Sequence, residues 1–103
     1  MSKEEPIMPI KTIVELEAKP GERSDLLKAL DDVLASMKNA PGFLGAKRYE
    51  IIDNPDSLIE IAEWESPEAR QRWLERSMKT GALNRLTLTL GAPFKAITIR
   101  EIG

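Results

Sequence analysis

Acidic residues within strand-like runs are the first candidates for chemistry in this 103-residue chain. Glu50, Glu60 and Glu63 each stand in an otherwise apolar or aromatic stretch. Burial raises the pKa of a carboxyl group, and a carboxylate tuned in this way can act as a general base. We choose Glu60 as the catalytic candidate, because two isoleucines flank it and because the two-residue alternation of a strand places it on the same face as Trp64.

Basic and phenolic side chains offer either chemistry or structure. Lys47 or Arg48 could pair with the acids across a strand, which is their structural alternative together with exposure to solvent. Arg72, the first of three basic residues on one helix face, could bind a carboxylate or phosphate at the mouth of a pocket, or it could belong to a solvated face. Tyr49 could donate a hydrogen bond to a substrate oxygen, or it could pack in a core or an interface.

The two tryptophans are the largest apolar side chains of the chain. Trp64 stands at the end of a strand-like run, where a tryptophan commonly closes the core. Trp73 shares a helix face with Ala69 and Ser77, and these small neighbours leave room for a flat ligand between helix and sheet. An aromatic core would use the same residue, so a pocket and a packed core both remain open for Trp73.

Composition restricts the chemistry and the partners. The chain has no histidine and no cysteine, which excludes imidazole ligands, histidine triads, disulfides and thiolate metal sites, so we expect no metal centre. The net charge of -2 provides no field to attract nucleic acid or an anionic membrane. Residues 1–9 lack the pattern of a secretory signal and no run is long enough to span a membrane, so we expect a cytoplasmic protein.

Periodicity predicts the elements that would position these residues. Residues 10–18 alternate as a half-buried strand, and residues 22–39 carry an apolar stripe with a 3.6-residue period, typical of a helix. Residues 43–52 and 57–65 form two strands of a hairpin, connected by the turn at residues 53–56.

The C-terminal half begins with a helix start signal. Ser66, Pro67 and Glu68 provide a cap hydroxyl, a proline at the first helical position and an acid near the positive end of the helix dipole. Residues 82–90 suit a helix or a strand, and we choose a helix. Residues 94–102 form the last strand.

The order of these elements predicts an α+β fold. It is a ferredoxin-like βαββαβ unit, with an antiparallel sheet and both helices on one face, formed by a single domain at residues 10–103 after a flexible tail at residues 1–9. Two strands are apolar on both sides, so the helix-free face would expose an apolar patch. We therefore expect a homodimer in which two sheets pack face to face. The apolar residues concerned are Leu58, Ile59, Ile61, Ala62, Phe94, Ala96, Ile97 and Ile99.

Several motifs resemble the antibiotic biosynthesis monooxygenase family. They are EWESPEA at residues 63–69 with Trp73, Leu74 and Ser77 after it, KPG at residues 19–21 and PGFLG at residues 41–45. The resemblance covers nearly the whole chain from residue 10. It implies a dimeric α+β barrel that binds an aromatic or tetrapyrrole ligand, with Trp64 as a wall of the ligand cavity. Some members carry asparagine at the position of Glu60.

The resemblance also identifies departures. Many members have a glutamate at the position of Ala62 and a histidine at that of Trp73. A haem-degrading subset has tryptophan at the latter position, but its histidine and asparagine correspond here to Leu83 and Val14.

Three hypotheses follow from this resemblance. The first is a cofactor-independent monooxygenase that acts on a small aromatic or quinol-like molecule, with Glu60 as the base and with Trp64, Trp73, Tyr49 and Arg72 binding the substrate. The base would remove a proton from a phenol or hydroquinone, so that the anion reacts directly with dioxygen. The second is a haem-binding or haem-degrading monooxygenase. The third is a non-catalytic, ligand-binding dimer module.

Overall fold

The computed structural model describes residues 9–103, which form a four-stranded antiparallel sheet and three helices. Strand order is β2-β3-β1-β4. The predicted α+β class and ferredoxin-like order are confirmed, and the predicted tail lies outside the described residues except for Pro9. The elements are β1 (Ile10–Glu17), α1 (Arg23–Lys38), β2 (Phe43–Ile51), β3 (Asn54–Trp64), α2 (Pro67–Thr80), α3 (Asn84–Thr89) and β4 (Lys95–Arg100).

The second helix begins and ends where its residues allow. Ser66 Oγ accepts a hydrogen bond of 3.1 Å from the backbone N–H of Ala69, and Pro67 occupies the first turn, where its missing N–H costs nothing. Gly81 closes the helix with a φ of 76°, a left-handed conformation that glycine adopts without strain. The start of α2, which positions Trp73, is therefore set by local sequence.

The hairpin turn is tighter than the sequence suggested. Ile51 is paired with Asn54, so the connection is Ile52 and Asp53, and the prediction of a turn at residues 53–56 was wrong. Pro55 is tolerated inside β3 because β1 pairs with β3 only as far as Ser57. Near Pro55 the strand therefore has a neighbour on one side only, which is where a strand accepts proline.

The two faces of the sheet differ sharply. On one face, alternate residues of β1 and β3 pack with the buried stripe of α1 and with Ala69 and Trp73 of α2 to form the core. On the other face, Ile61, Ile13 and Ile97 lie side by side across three strands, and Ile97 is 60% exposed. Within residues 9–103, no helix is long and apolar enough to cross a membrane.

Candidate functional site

A largely apolar cavity of about 110 Å³ lies between the sheet and the helices. An engineered apolar cavity of about 150 Å³ can bind benzene, so this space has the scale of one aromatic ring. Thr87 and Phe94 line the cavity and are themselves exposed, so it opens towards solvent between α3 and β4. The space beneath the helices is therefore not solidly packed.

Both tryptophans line this cavity. Their ring centroids are 5.7 Å apart with an interplanar angle of 38°, and Phe43 packs edge-on against Trp64 at 5.3 Å. Trp73 Nε1 donates a hydrogen bond of 2.8 Å to Ser36 Oγ, so α1 fixes the indole that α2 carries. With its polar edge satisfied, the Trp73 ring offers an apolar surface to the cavity.

Glu60 lines the same cavity and is only 6% exposed. Its Oε2 accepts a hydrogen bond of 3.2 Å from Nε of Arg48, the residue directly opposite on β2. Burial raises the pKa of Glu60, although Arg48 acts in the opposite direction. The cross-strand pair considered as a structural alternative thus exists, and the carboxylate still faces the cavity.

Arg48 connects Glu60 to a second acid. Its Nη1 donates a hydrogen bond of 2.7 Å to Asp31 Oδ1 on α1. Burial alone would lower the pKa of Arg48, but its hydrogen bonds to Asp31 and Glu60 raise that pKa above its usual value. The guanidinium therefore stays charged and holds one oxygen of Glu60 in place.

Of the polar residues that line the cavity, Thr12 and Arg70 are buried or partly buried and were not among the site residues chosen from the sequence. Thr12 is 2% exposed, and its Oγ1 has no hydrogen-bond partner within the part of the chain that the structure describes. Thr12 is paired with Ala62, which lies two residues after Glu60 on the same face of β3. The strand alternation that placed Ile10 and Val14 together could have identified it.

Arg70 is the second polar residue that was missed. It is partly buried and lines the cavity, because it precedes Trp73 by three residues and so lies on the same side of α2. Arg72, two residues further on, is exposed and lies on another side of the helix. Spacing relative to Trp73 was the signal that would have favoured Arg70.

The structure therefore brings together Glu60, Trp64 and Trp73, and leaves Tyr49 and Arg72 outside the cavity. Tyr49 is paired with Ile59 on the helix-free face and is 47% exposed. Its alternation along β2 directs it away from the helices, so the expectation that it shares a pocket with the tryptophans has to be corrected, as has that for Arg72.

The positions that the haem-degrading subset fills with polar groups are apolar parts of the wall. Val14 and Leu83 both line the cavity, on β1 and just before α3. Neither side chain can ligate iron or donate a hydrogen bond. Within residues 9–103, no group of three or more acidic side chains converges as a metal-ligand set.

Comparisons with known proteins agree with this architecture. A conserved protein from Methanosarcina mazei Go1 has a TM-score of 0.82 at 14% identity, with 93% of this chain and 95% of that chain covered. SnoaB, a cofactor-independent oxygenase from Streptomyces nogalater, has a TM-score of 0.77 at 17% identity, with 92% and 96% covered. Rv0793 from Mycobacterium tuberculosis has a TM-score of 0.79 at 18% identity, with 92% and 96% covered.

At these identities the structural likeness shows the fold alone. None of the curated proteins compared with the chain matches it significantly. The family model described as antibiotic biosynthesis monooxygenase matches residues 9–79, which is more than half of the chain. The chain therefore belongs to the antibiotic biosynthesis monooxygenase family.

Proposed function

We propose that this protein binds a small planar aromatic or quinol-like molecule in the cavity and oxygenates it with dioxygen, without a cofactor. The observation that carries the proposal is a carboxylate of raised pKa, Glu60, in an apolar cavity walled by Trp64 and Trp73. The shared fold with SnoaB, a cofactor-independent oxygenase, supports the reaction class.

Three groups would hold the substrate. The indole rings of Trp64 and Trp73 present apolar surface to an aromatic ring. Thr12 Oγ1 could donate its unused hydrogen bond to a substrate oxygen, which would remove the cost of about 1–3 kcal/mol for an unsatisfied buried hydroxyl. A molecule of more than one ring would extend towards Phe94, where the cavity opens.

Glu60 would begin the reaction by removing a proton. The anion of a phenol, or of an anthrone methylene, is electron-rich enough to pass electrons to dioxygen and form a carbon–oxygen bond. For an anthrone, one oxygen atom becomes the new ketone, and the other leaves as water with the two methylene hydrogens. Glu60 returns its proton to the departing oxygen, so that atoms, protons and electrons balance.

Oxygen uptake across a panel of quinols and anthrones tests this proposal. We expect turnover with at least one compound, and a decrease in kcat of about 10²- to 10⁴-fold in E60Q, the range that a general base contributes. E63Q is the matched control, because Glu63 lies on the same strand but on the helix-free face. E60Q activity equal to that of the unaltered protein would rule out Glu60 as the base.

Ligand binding without any oxygen uptake would favour the non-catalytic module instead. A haemin titration separates the remaining alternative, since a sharp Soret shift at one haem per chain would support haem binding. We expect no such shift, because Val14 and Leu83 supply no ligand for the haem iron.

We further propose that the protein is a homodimer formed through the helix-free face. The apolar row of Ile13, Ile61 and Ile97 is bordered by charges of both signs, because Lys11 lies opposite Glu63. A second copy related by a two-fold axis could cover the apolar row and match these charges. Covering it would remove a contiguous apolar patch from water.

A further inference from the structure

The cavity contains two charged side chains, and only one of them has a partner. Glu60 is paired with Arg48 at 3.2 Å. Arg70 makes no salt bridge or side-chain hydrogen bond within residues 9–103, where the ion pairs are those of Arg23, Arg48 and Arg85. The cavity therefore carries one uncompensated positive charge.

An unpaired cation at a partly buried position is costly. Removing a charge from water without a partner costs free energy that a nearby anion or hydrogen bonds must offset. Burial lowers the pKa of Arg70, and no acid raises it again. Its neighbours in the cavity wall, such as Trp73 and Leu74, provide no acceptor. The guanidinium nitrogens of Arg70 are not among the buried side-chain atoms that lack a partner, so water still reaches them, and an anionic group of a ligand can take the place of that water.

We propose that the ligand of this cavity is a planar aromatic carboxylate, whose ring lies against Trp73 and whose carboxylate accepts hydrogen bonds from Arg70. This inference rests on the proposed function for the position of the ring. The planar guanidinium donates two parallel N–H groups that match the two oxygens of a carboxylate. Because Arg70 and Trp73 are three residues apart on α2, one helix face would recognise both ring and charge.

A pair of ligands that differ only in charge tests the inference. Anthraquinone-2-carboxylate and the neutral 2-(hydroxymethyl)anthraquinone share one ring system, and a quinone quenches tryptophan fluorescence on contact. The chain has two tryptophans, and both line the cavity, so quenching reports its occupancy. We expect the carboxylate to bind roughly 10- to 100-fold more tightly, as a charge-assisted hydrogen bond provides.

Substitutions on α2 assign the preference to one residue. R70Q should reduce the ratio of the two Kd values to about one. R70K should keep part of the preference for the carboxylate, because lysine retains the positive charge but lacks the planar guanidinium with its two parallel N–H groups. R72Q is the matched control, since Arg72 is exposed on the same helix and does not line the cavity. A substitution that weakens the binding of both ligands equally leaves the ratio of their Kd values unchanged. Circular dichroism checks that each variant is folded.

Equal affinity of the unaltered protein for both ligands would overturn the inference, as would an equal loss of the ratio in R72Q. Oxygen uptake with a carboxylate substrate that is unaffected by R70Q would overturn the role of Arg70 and leave the proposed reaction intact. If neither quinone quenches the tryptophans, the aromatic ligand itself is refuted, and the inference is refuted with it.

Discussion

Glu60 is subject to two opposing influences, and the balance between them sets its protonation. Burial disfavours the charged carboxylate, whereas Arg48 favours it, and burial has the larger effect. A base in this position is stronger than an exposed glutamate yet remains held in place by its partner. The same balance makes the stability of the protein depend on pH through this single residue.

The pH dependence of unfolding should reveal Glu60 directly. As pH rises from the ordinary glutamate value of 4.5 to the raised pKa, the native state holds more protons than the unfolded state, so the free energy of unfolding falls. E60Q cannot ionise and lacks this fall. We therefore expect the unfolding free energy of the unaltered protein minus that of E60Q to decrease with rising pH, as measured by urea denaturation.

E63Q controls for the loss of one carboxylate from the same strand. A difference between the unaltered protein and E60Q that increases with pH would contradict the raised pKa, because it would mean that Arg48 outweighs burial. On the acidic side of the pH profile, the midpoint of the decrease in kcat/KM should lie above the pKa of an ordinary glutamate, since the base must be ionised to accept a proton.

At the scale of elements, the first turn of α2 packs against Gly42, the last residue of the connection between α1 and β2. The backbone N–H of Glu65 donates a hydrogen bond of 2.8 Å to the carbonyl of Gly42. A Cβ at Gly42 would lie 2.5 Å from Cβ of Ala69, closer than two carbon atoms can pack. The absence of a side chain at Gly42 therefore allows the first turn of α2, the helix that carries Trp73, to lie this close.

G42A should therefore destabilise the protein more than G21A. Both glycines have positive φ, 91° at Gly42 and 76° at Gly21, but an added Cβ at Gly21 meets nothing within 4 Å. The two variants share the backbone strain, and G42A adds overpacking, which typically costs about 1–3 kcal/mol. Equal losses of unfolding free energy in urea would show that α2 moves away without cost.

Sequence patterns predicted elements better than they predicted the site. Ser66 and Pro67 identify the start of α2, and the stripe of α1 identifies its buried face, because these signals are local. The turn at Ile52 and Asp53 was missed because strand register, which no local signal reports, decides where Asn54 pairs. Arg70 was missed for a different reason, because its spacing of three residues from Trp73 is present in the sequence but was not used.

At the scale of the whole molecule, one sheet face remains bare among the described residues. The interior strand β1 carries Ile13 on that face, and the edge strand β4 is exposed along its whole length. Apolar area of this kind is typical of an interface. A dimer through this face would also bury further surface, which benefits a small domain because its surface is large relative to its volume.

Light scattering after size-exclusion chromatography tests the dimer. At micromolar concentration, we expect twice the chain mass of 11.5 kDa for the unaltered protein and the monomer mass for I97K. Ile97 is paired with Ile13 on the bare face, and a lysine buried there without a partner would oppose association. L88K is the control, because Leu88 is 70% exposed on α3. A monomeric unaltered protein would refute the dimer.

The position of β1 between β3 and β4 also constrains the order in which the protein can fold. The β2–β3 hairpin pairs neighbours in sequence and can form early, whereas β1 must wait for partners far along the chain. Pairings that close such long loops form slowly. In a nascent chain, the edge of β1 that pairs with β4 would thus remain unpaired until β4 has been synthesised. During that interval the chain would be most prone to aggregation.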